Sequence, residues 1–214
     1  MSGRREEILE AALEIADERG LAAVSMRAVA DRVGVTPMAL YPHIGSKAAL
    51  LDGMLGQLLL RLTPGDEGDG EPFSRLAELG RQVRGLVREH PWSATLFFSR
   101  PSVTPDGVRA VDRMYVELLA AGVPADQVPR VERLLSTFAI GYAASEAGGR
   151  FGPGELDPRQ RRGQLPEGEL PGHGAVAEAL DGPVDWDAEF EADLEDLRRL
   201  VGGLAEGWSR TLPG

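Results

Sequence analysis

Apolar residues recur at helical spacing along almost the whole chain. Over residues 4–19, Ile8, Leu9, Ala12, Leu13, Ile15 and Ala16 share one broad face, and Gly20 is a natural stop. Ser25 can cap a second helix, with Met26, Val29, Ala30 and Val33 inward and Gly34 ending it. Thr36 caps a short third helix, with Pro37 at its first position, where a missing N–H costs nothing, and Pro42 limiting its length. Ser46 caps a fourth, with Leu50, Leu51, Met54, Leu55, Leu58 and Leu62 on one side. Residues 63–72 (TPGDEGDGEP) lose the periodicity and read as a loop.

Helices then resume over 73–90, in a short apolar piece at 91–99, from Thr104-Pro105 to Gly122, and over roughly 125–149. Residues 151–186 hold five prolines and seven glycines, which predicts a long irregular connection with one helical turn at 175–180. A last helix spans about 186–211, with Phe190, Leu194, Leu197, Val201, Leu204 and Trp208 alternating four and three apart. No stretch reads as a strand, so the expected fold class is all-α.

Residues 24–55 carry the most specific chemistry: two short helices joined by Gly34-Val35-Thr36. The second presents Thr36, Pro37, Met38, Ala39 and Tyr41 outward and Leu40 inward. The N-terminal turn of such a helix fits a DNA major groove, and small side chains such as Thr36 and Ala39 allow close approach to base edges. The Thr36 and Tyr41 hydroxyls and the His43 ring can donate to phosphates. Lys47 is the only lysine in the chain; it opens the fourth helix, where its charge and the helix N-terminus both suit a phosphate. Tyr41 serves equally as a half-buried packing residue, and His43 as an inert surface one.

Net charge qualifies this picture. The chain carries −11 overall, which by itself argues against nucleic acid. Residues 1–50 hold six basic and seven acidic residues, leaving 17 basic and 27 acidic in the remainder. The acidity therefore lies outside the reading head. There are no cysteines, and His43, His90 and His173 are far apart, so no metal or cofactor is expected. No nucleophile elbow, zinc-helix or dinucleotide fingerprint is present, and the chain is not expected to be an enzyme. No run approaches the roughly 20 apolar residues of a membrane span, and acids interrupt the apolar N-terminal stretch, so the expectation is a cytoplasmic protein without a membrane partner.

Residues 8–55 resemble the DNA-binding domain of the TetR family of repressors. The likeness rests on ILEAALEIADERG, then Ala-Val-Ala-Asp-Arg-Val-Gly-Val-Thr, then Leu-Tyr-x-His and Ser-Lys-x-x-Leu-Leu, with the family's spacing of Tyr41, His43 and Lys47. Pro42 and Ile44 depart from the residues more common there. The resemblance implies a DNA-binding domain over 1–46 and a helical effector-binding and dimerisation domain over 47–214. It implies a homodimer on double-stranded operator DNA, released when a small-molecule effector moves the fourth helix. Residues matching Thr36, Tyr41, His43 and Lys47 contact the backbone; those matching Arg27, Met38 and Ala39 lie at or near bases. Pro37 completes the expected DNA-binding set.

Two further expectations concern the larger part. Leu58, Leu62, Leu86, Trp92, Leu96, Phe97, Met114, Phe138 and Tyr142 are candidate effector-pocket residues, Trp92 and Tyr142 foremost for their polar handles, though each reads equally as core. Gly141, Ala144, Ser145 and Gly148 form a small-residue row on the long helix. With Leu194, Leu197, Val201, Leu204 and Trp208 of the last helix they are candidates for a four-helix dimer interface; the same seam also reads as intramolecular core. The alternative function is a dimeric small-molecule sensor acting through a protein partner, without specific DNA binding.

Overall fold

A computed structural model describes residues 2–62, 71–151, 166 and 169–211. Among them every regular element is helical. The head comprises α1 (Ser2–Arg19), a 3-10 turn (Leu21–Ala23), α2 (Met26–Val33) and α3 (Pro37–Ile44), followed by α4 (Lys47–Leu60). Ser25 and Ser46 each cap as expected, accepting from Ala28 N and Ala49 N at 3.1 Å. Gly34 takes the left-handed conformation (φ 77°, ψ 35°) that frees the chain to turn between α2 and α3. Ile8, Leu9, Ala12 and Ile15 of α1 meet Val29, Ala30, Leu40, Leu50 and Met54 in one buried cluster. Burying a side chain of this kind contributes about 1.5–3 kcal/mol, so the short α2 and α3 hold their shape through this shared core.

Two local expectations at α3 are corrected. Thr36 occupies the N-cap position, but its hydroxyl makes no cap bond. Its backbone carbonyl already accepts from Ala39 N at 2.9 Å, so the side chain is not needed there. Pro42 does not end the helix, which runs on to Ile44. The donor it lacks would have bonded the Met38 carbonyl, on the solvent-facing side of α3, where water can replace it.

The larger part contains α5 (Pro72–Glu89), α6 (Ser93–Ser99), α7 (Pro105–Ala120), α8 (Val128–Ala147), the short α9 (Pro171–Ala175) and α10 (Ala177–Asp181), and α11 (Trp186–Thr211). The loop expected at 63–72 lies mostly outside the described residues, as does much of the connection expected at 151–186; where one turn was expected at 175–180, the two five-residue helices α9 and α10 stand. Helix α5 lies against α8 and α7, and α4 against α7 and α6.

The heptad seam of α11 turns inward. Phe190, Leu194 and Val201 are 1%, 6% and 2% exposed, packed into clusters with Leu76, Ala77, Leu135 and Tyr142 of the same chain, and Leu197 packs beside them. Leu194, Leu197 and Val201 therefore build the subunit's own core rather than an outward interface. Leu204 is half-buried; the Trp208 side chain lies outside the described residues. An ion cluster ties α11 to its neighbours. Arg84 and Arg88 of α5 both grip Glu146 of α8, each through two nitrogens at 2.7–3.0 Å, and Arg88 reaches Asp187 at 2.6 Å. The Arg84 guanidinium also lies over the Phe190 ring, 4.6 Å from its centroid.

Candidate functional site

Helix α3 divides cleanly into two faces. Leu40 and Ile44 are buried at 1% and 6%, whereas Met38 and Tyr41 are 74% and 43% exposed. Thr36, Pro37 and Ala39 complete the exposed face, Arg27 stands exposed at the start of α2, and Lys47 stands exposed as the first residue of α4. His43 is half-buried. Among the described residues Arg27 and Lys47 form no ion pair, so both cations are available to an anionic partner. Arg32 is not: it holds Glu14 at 2.9 Å and, more closely, Glu18. That hydrogen bond lowers the Glu18 pKa and raises that of Arg32. Arg4 is likewise spent on Glu7 at 2.7 Å.

Helix α4 connects this head to the larger part. Its Gly53 touches α1 so closely that a Cβ there would stand 2.6 Å from the Leu9 side chain. One turn on, a Cβ at Gly56 would stand 2.5 Å from the Thr104 hydroxyl at the start of α7. Two glycines thus let α1 and the α7 N-terminus press on α4 in successive turns. Arg100 clasps the first half of α4, donating to Asp52 Oδ1 at 2.6 Å and to the Ala48 carbonyl at 3.0 Å.

The far end of α4 carries a second clasp. Arg61 stands 3.1 Å from His90 Nε2, and His90 Nδ1 stands 2.6 Å from Asp17 Oδ1 of α1. Arginine only donates, so Nε2 accepts and the ring's proton lies on Nδ1, directed at Asp17. The Trp92 indole N–H donates to the same Asp17 oxygen at 2.6 Å. None of Asp17, Asp52, Arg61, His90 and Arg100 belongs to a recognisable local motif. Asp17 and Asp52 lie far in sequence from their partners, and only the fold brings them together.

Beyond α4 lies a cavity of about 240 Å³. Its wall is formed by Leu55 and Leu59 of α4 with Leu62 just beyond it, by α5 from Phe73 to Val83, and by parts of α6, α7, α8 and α11. Of the residues expected to line a pocket, Leu62, Phe97, Met114 and Phe138 do so. The others stand elsewhere. Leu58, Leu86 and Leu96 are fully packed core. Trp92 is drawn off by Asp17. Tyr142 donates its hydroxyl to the Trp186 carbonyl at 2.9 Å and packs its ring on Phe190; burial raises its pKa. Polar groups do reach the cavity wall, from residues the sequence did not single out: Arg100, Ser102, Arg113, Glu132 and Ser136.

On α8, Gly141, Ala144 and Ser145 are half-buried, Gly148 just past its end is exposed, and a Cβ at Gly141 would meet open space. Among the described residues no group of three or more histidine, aspartate or glutamate side chains is placed to hold a metal ion, and no helix is long and apolar enough to cross a membrane.

Comparison with known proteins agrees with this geometry along the chain. Residues 8–54 match the family of bacterial regulatory proteins of the tetR type, and residues 63–206 match the tetracyclin repressor-like C-terminal domain. The transcriptional repressor DrrR1 of Streptomyces coeruleorubidus is 29% identical over 210 residues, covering 92% of this chain and 75% of that protein. The crystal structure of apo ActR from Streptomyces coelicolor superposes with a TM-score of 0.82 at 25% identity, over 95% of this chain and 96% of that one. ActR in complex with (S)-DNPA superposes with a TM-score of 0.80 at 25% identity, over 92% and 96%. A helix-turn-helix head with a bare outer face, joined by α4 to a helical body matching the family's C-terminal domain, is therefore what the sequence encodes: the chain belongs to the TetR family of bacterial transcriptional regulators.

Proposed function

We propose that this protein is a repressor that binds operator DNA as a homodimer and leaves it when a small molecule enters the cavity beside α4. One observation carries the reading: α4 begins at Lys47, beside the exposed face of α3, and its other half forms part of the cavity wall. A ligand pressing on Leu55, Leu59 and Leu62 would shift a helix that grips α1 at Gly53, and so would reorient the head. The occurrence of ActR with (S)-DNPA bound supports a ligand role for the cavity.

On DNA, Thr36, Tyr41, His43 and Lys47 hold phosphates, Arg27, Met38 and Ala39 lie at or near bases, and Pro37 belongs to the same contact face. The reading head extends over residues 1–46 and the effector and dimerisation domain over 47–214. Two heads spaced one helical turn apart, about 34 Å, suit a palindromic operator. The dimer contact falls on the outer face of α8, where Gly141, Ala144 and Ser145 permit close helix approach and Leu134 is exposed, with the exposed Leu200 of α11 beside the inward seam. The protein acts in the cytoplasm and catalyses no reaction.

A double variant, Lys47→Ala with Tyr41→Phe, tests the DNA contacts. Its affinity for every duplex should fall, and the slope of log affinity against log salt should become shallower by about 1. Unchanged binding and slope would remove these residues from the interface and favour a sensor that works through a protein partner.

A further inference from the structure

The cavity wall is apolar except at a few points, and one of these is chemically unfinished. Arg113 reaches it from α7. One terminal nitrogen donates to the Leu62 carbonyl at 2.9 Å, which anchors the guanidinium beside the end of α4. Its Nε is closed off from solvent and has no hydrogen-bond partner. Among the described residues no carboxylate stands within 4.0 Å of it. Arg100, the other cation on the wall, is already occupied by Asp52 and the Ala48 carbonyl. A buried donor of a charged group left unpaired costs on the order of 1–3 kcal/mol or more, and native structures rarely retain one without a use.

We propose that the effector is a small apolar carboxylic acid whose carboxylate pairs with the Arg113 guanidinium, which has no carboxylate partner among the described residues, with its ring or chain lying among Leu59, Phe97, Met114 and Phe138. The proposal rests on the reading of this cavity as the effector site. The size follows from the volume: 240 Å³ is below the roughly 300–1,000 Å³ of sites for drug-sized ligands, so one or two rings, or a chain of similar bulk, fill it. The charge follows from Arg113, whose planar fork is suited to a carboxylate. Glu132 on the opposing α8 is also on the wall and disfavours a second anionic group, so the acid carries one. Because the same guanidinium holds the Leu62 carbonyl, an acid seated on it would act directly on the segment that ends α4.

Three probes of one shape test this on the full-length protein: 2-naphthoate, 2-naphthamide and 2-naphthylmethylammonium, each titrated by calorimetry. The expected result is binding of the acid at least tenfold tighter than the amide, with the amine weakest. Arg113→Met should abolish the preference while leaving amide binding within about threefold. Should that variant fold poorly, Arg113→Lys keeps the charge and removes the planar fork, and should weaken the acid about tenfold with an unchanged melting temperature. Equal binding of acid and amide, or an acid preference that survives in both variants, overturns the carboxylate assignment and leaves the cavity as a ligand site. Failure of all three probes to bind overturns both.

Discussion

His90 and Asp17 stand 2.6 Å apart, Nδ1 to Oδ1, across the junction of the reading head and the body. His90 is 7% exposed, and its other nitrogen is held by Arg61 at 3.1 Å. The Asp17 oxygen serves two donors at once, the imidazole and the Trp92 indole. Asp17→Ala should therefore cost more than a single surface contact, about 1–3 kcal/mol, because it leaves two donors without their acceptor. Denaturant unfolding measures this. A double-mutant cycle with Trp92→Phe should give a coupling of at least about 0.5 kcal/mol; additive losses would mean the two residues act separately.

The glycines of α4 offer a sharper contrast. Gly53→Ala places a methyl 2.6 Å from Leu9 and should destabilise by about 1–3 kcal/mol through overpacking. Gly85 also lies inside a helix, but nothing stands within 4 Å of its Cβ position. Gly85→Ala should stabilise by about 0.5–1 kcal/mol, the ordinary helix-propensity gain. Thermal melts of the two variants should move in opposite directions.

The ion cluster at Arg84, Arg88 and Glu146 predicts an acid transition. Burial alone would push the Glu146 pKa up; the hydrogen bonds from Arg84 and Arg88 outweigh it and hold it at about 2. A carboxyl whose pKa is lowered on folding stabilises the protein fully above its ordinary value of 4.5, and this contribution is lost as pH falls from there towards 2. Asp187, also lowered by Arg88, adds in the same direction. The melting temperature should fall through this window, and Glu146→Gln should flatten that part of the profile while costing about 2 kcal/mol at neutral pH.

Among the described residues Met38 is the most exposed large apolar side chain, and it lies on the outer face of α3. Met38→Ala should reduce discrimination between operator and scrambled DNA by about 1–2 kcal/mol and leave the salt slope unchanged, since no charge is removed. Competition binding with the two duplexes reads both quantities.

The elements that the sequence defined well are those set by local chemistry. Caps at Ser25 and Ser46, the helix start at Thr104-Pro105, the left-handed Gly34 and the inward Leu40 depend on residues within a turn or two of one another. The apolar seam of α11 was equally legible, but periodicity reports that a face is buried and not against what; here the partner was α5 and the rest of the same subunit. The cavity was hardest to read. Trp92 and Tyr142 promised polar handles, yet each had a closer partner, Asp17 and the Trp186 carbonyl, that lies far away in sequence. Nothing in the sequence marks Arg113, because an unpaired Nε is a property of packing between α7 and the end of α4.

The most direct test of the central claim is fluorescence anisotropy with a labelled duplex covering the DNA upstream of the protein's own gene, at two salt concentrations, against a scrambled duplex. The expected result is tight binding to the first, weakening steeply with salt, and at least 10³-fold weaker binding to the second. Equal, weak binding to both duplexes would contradict the assignment of the exposed face of α3 as a reader of that DNA.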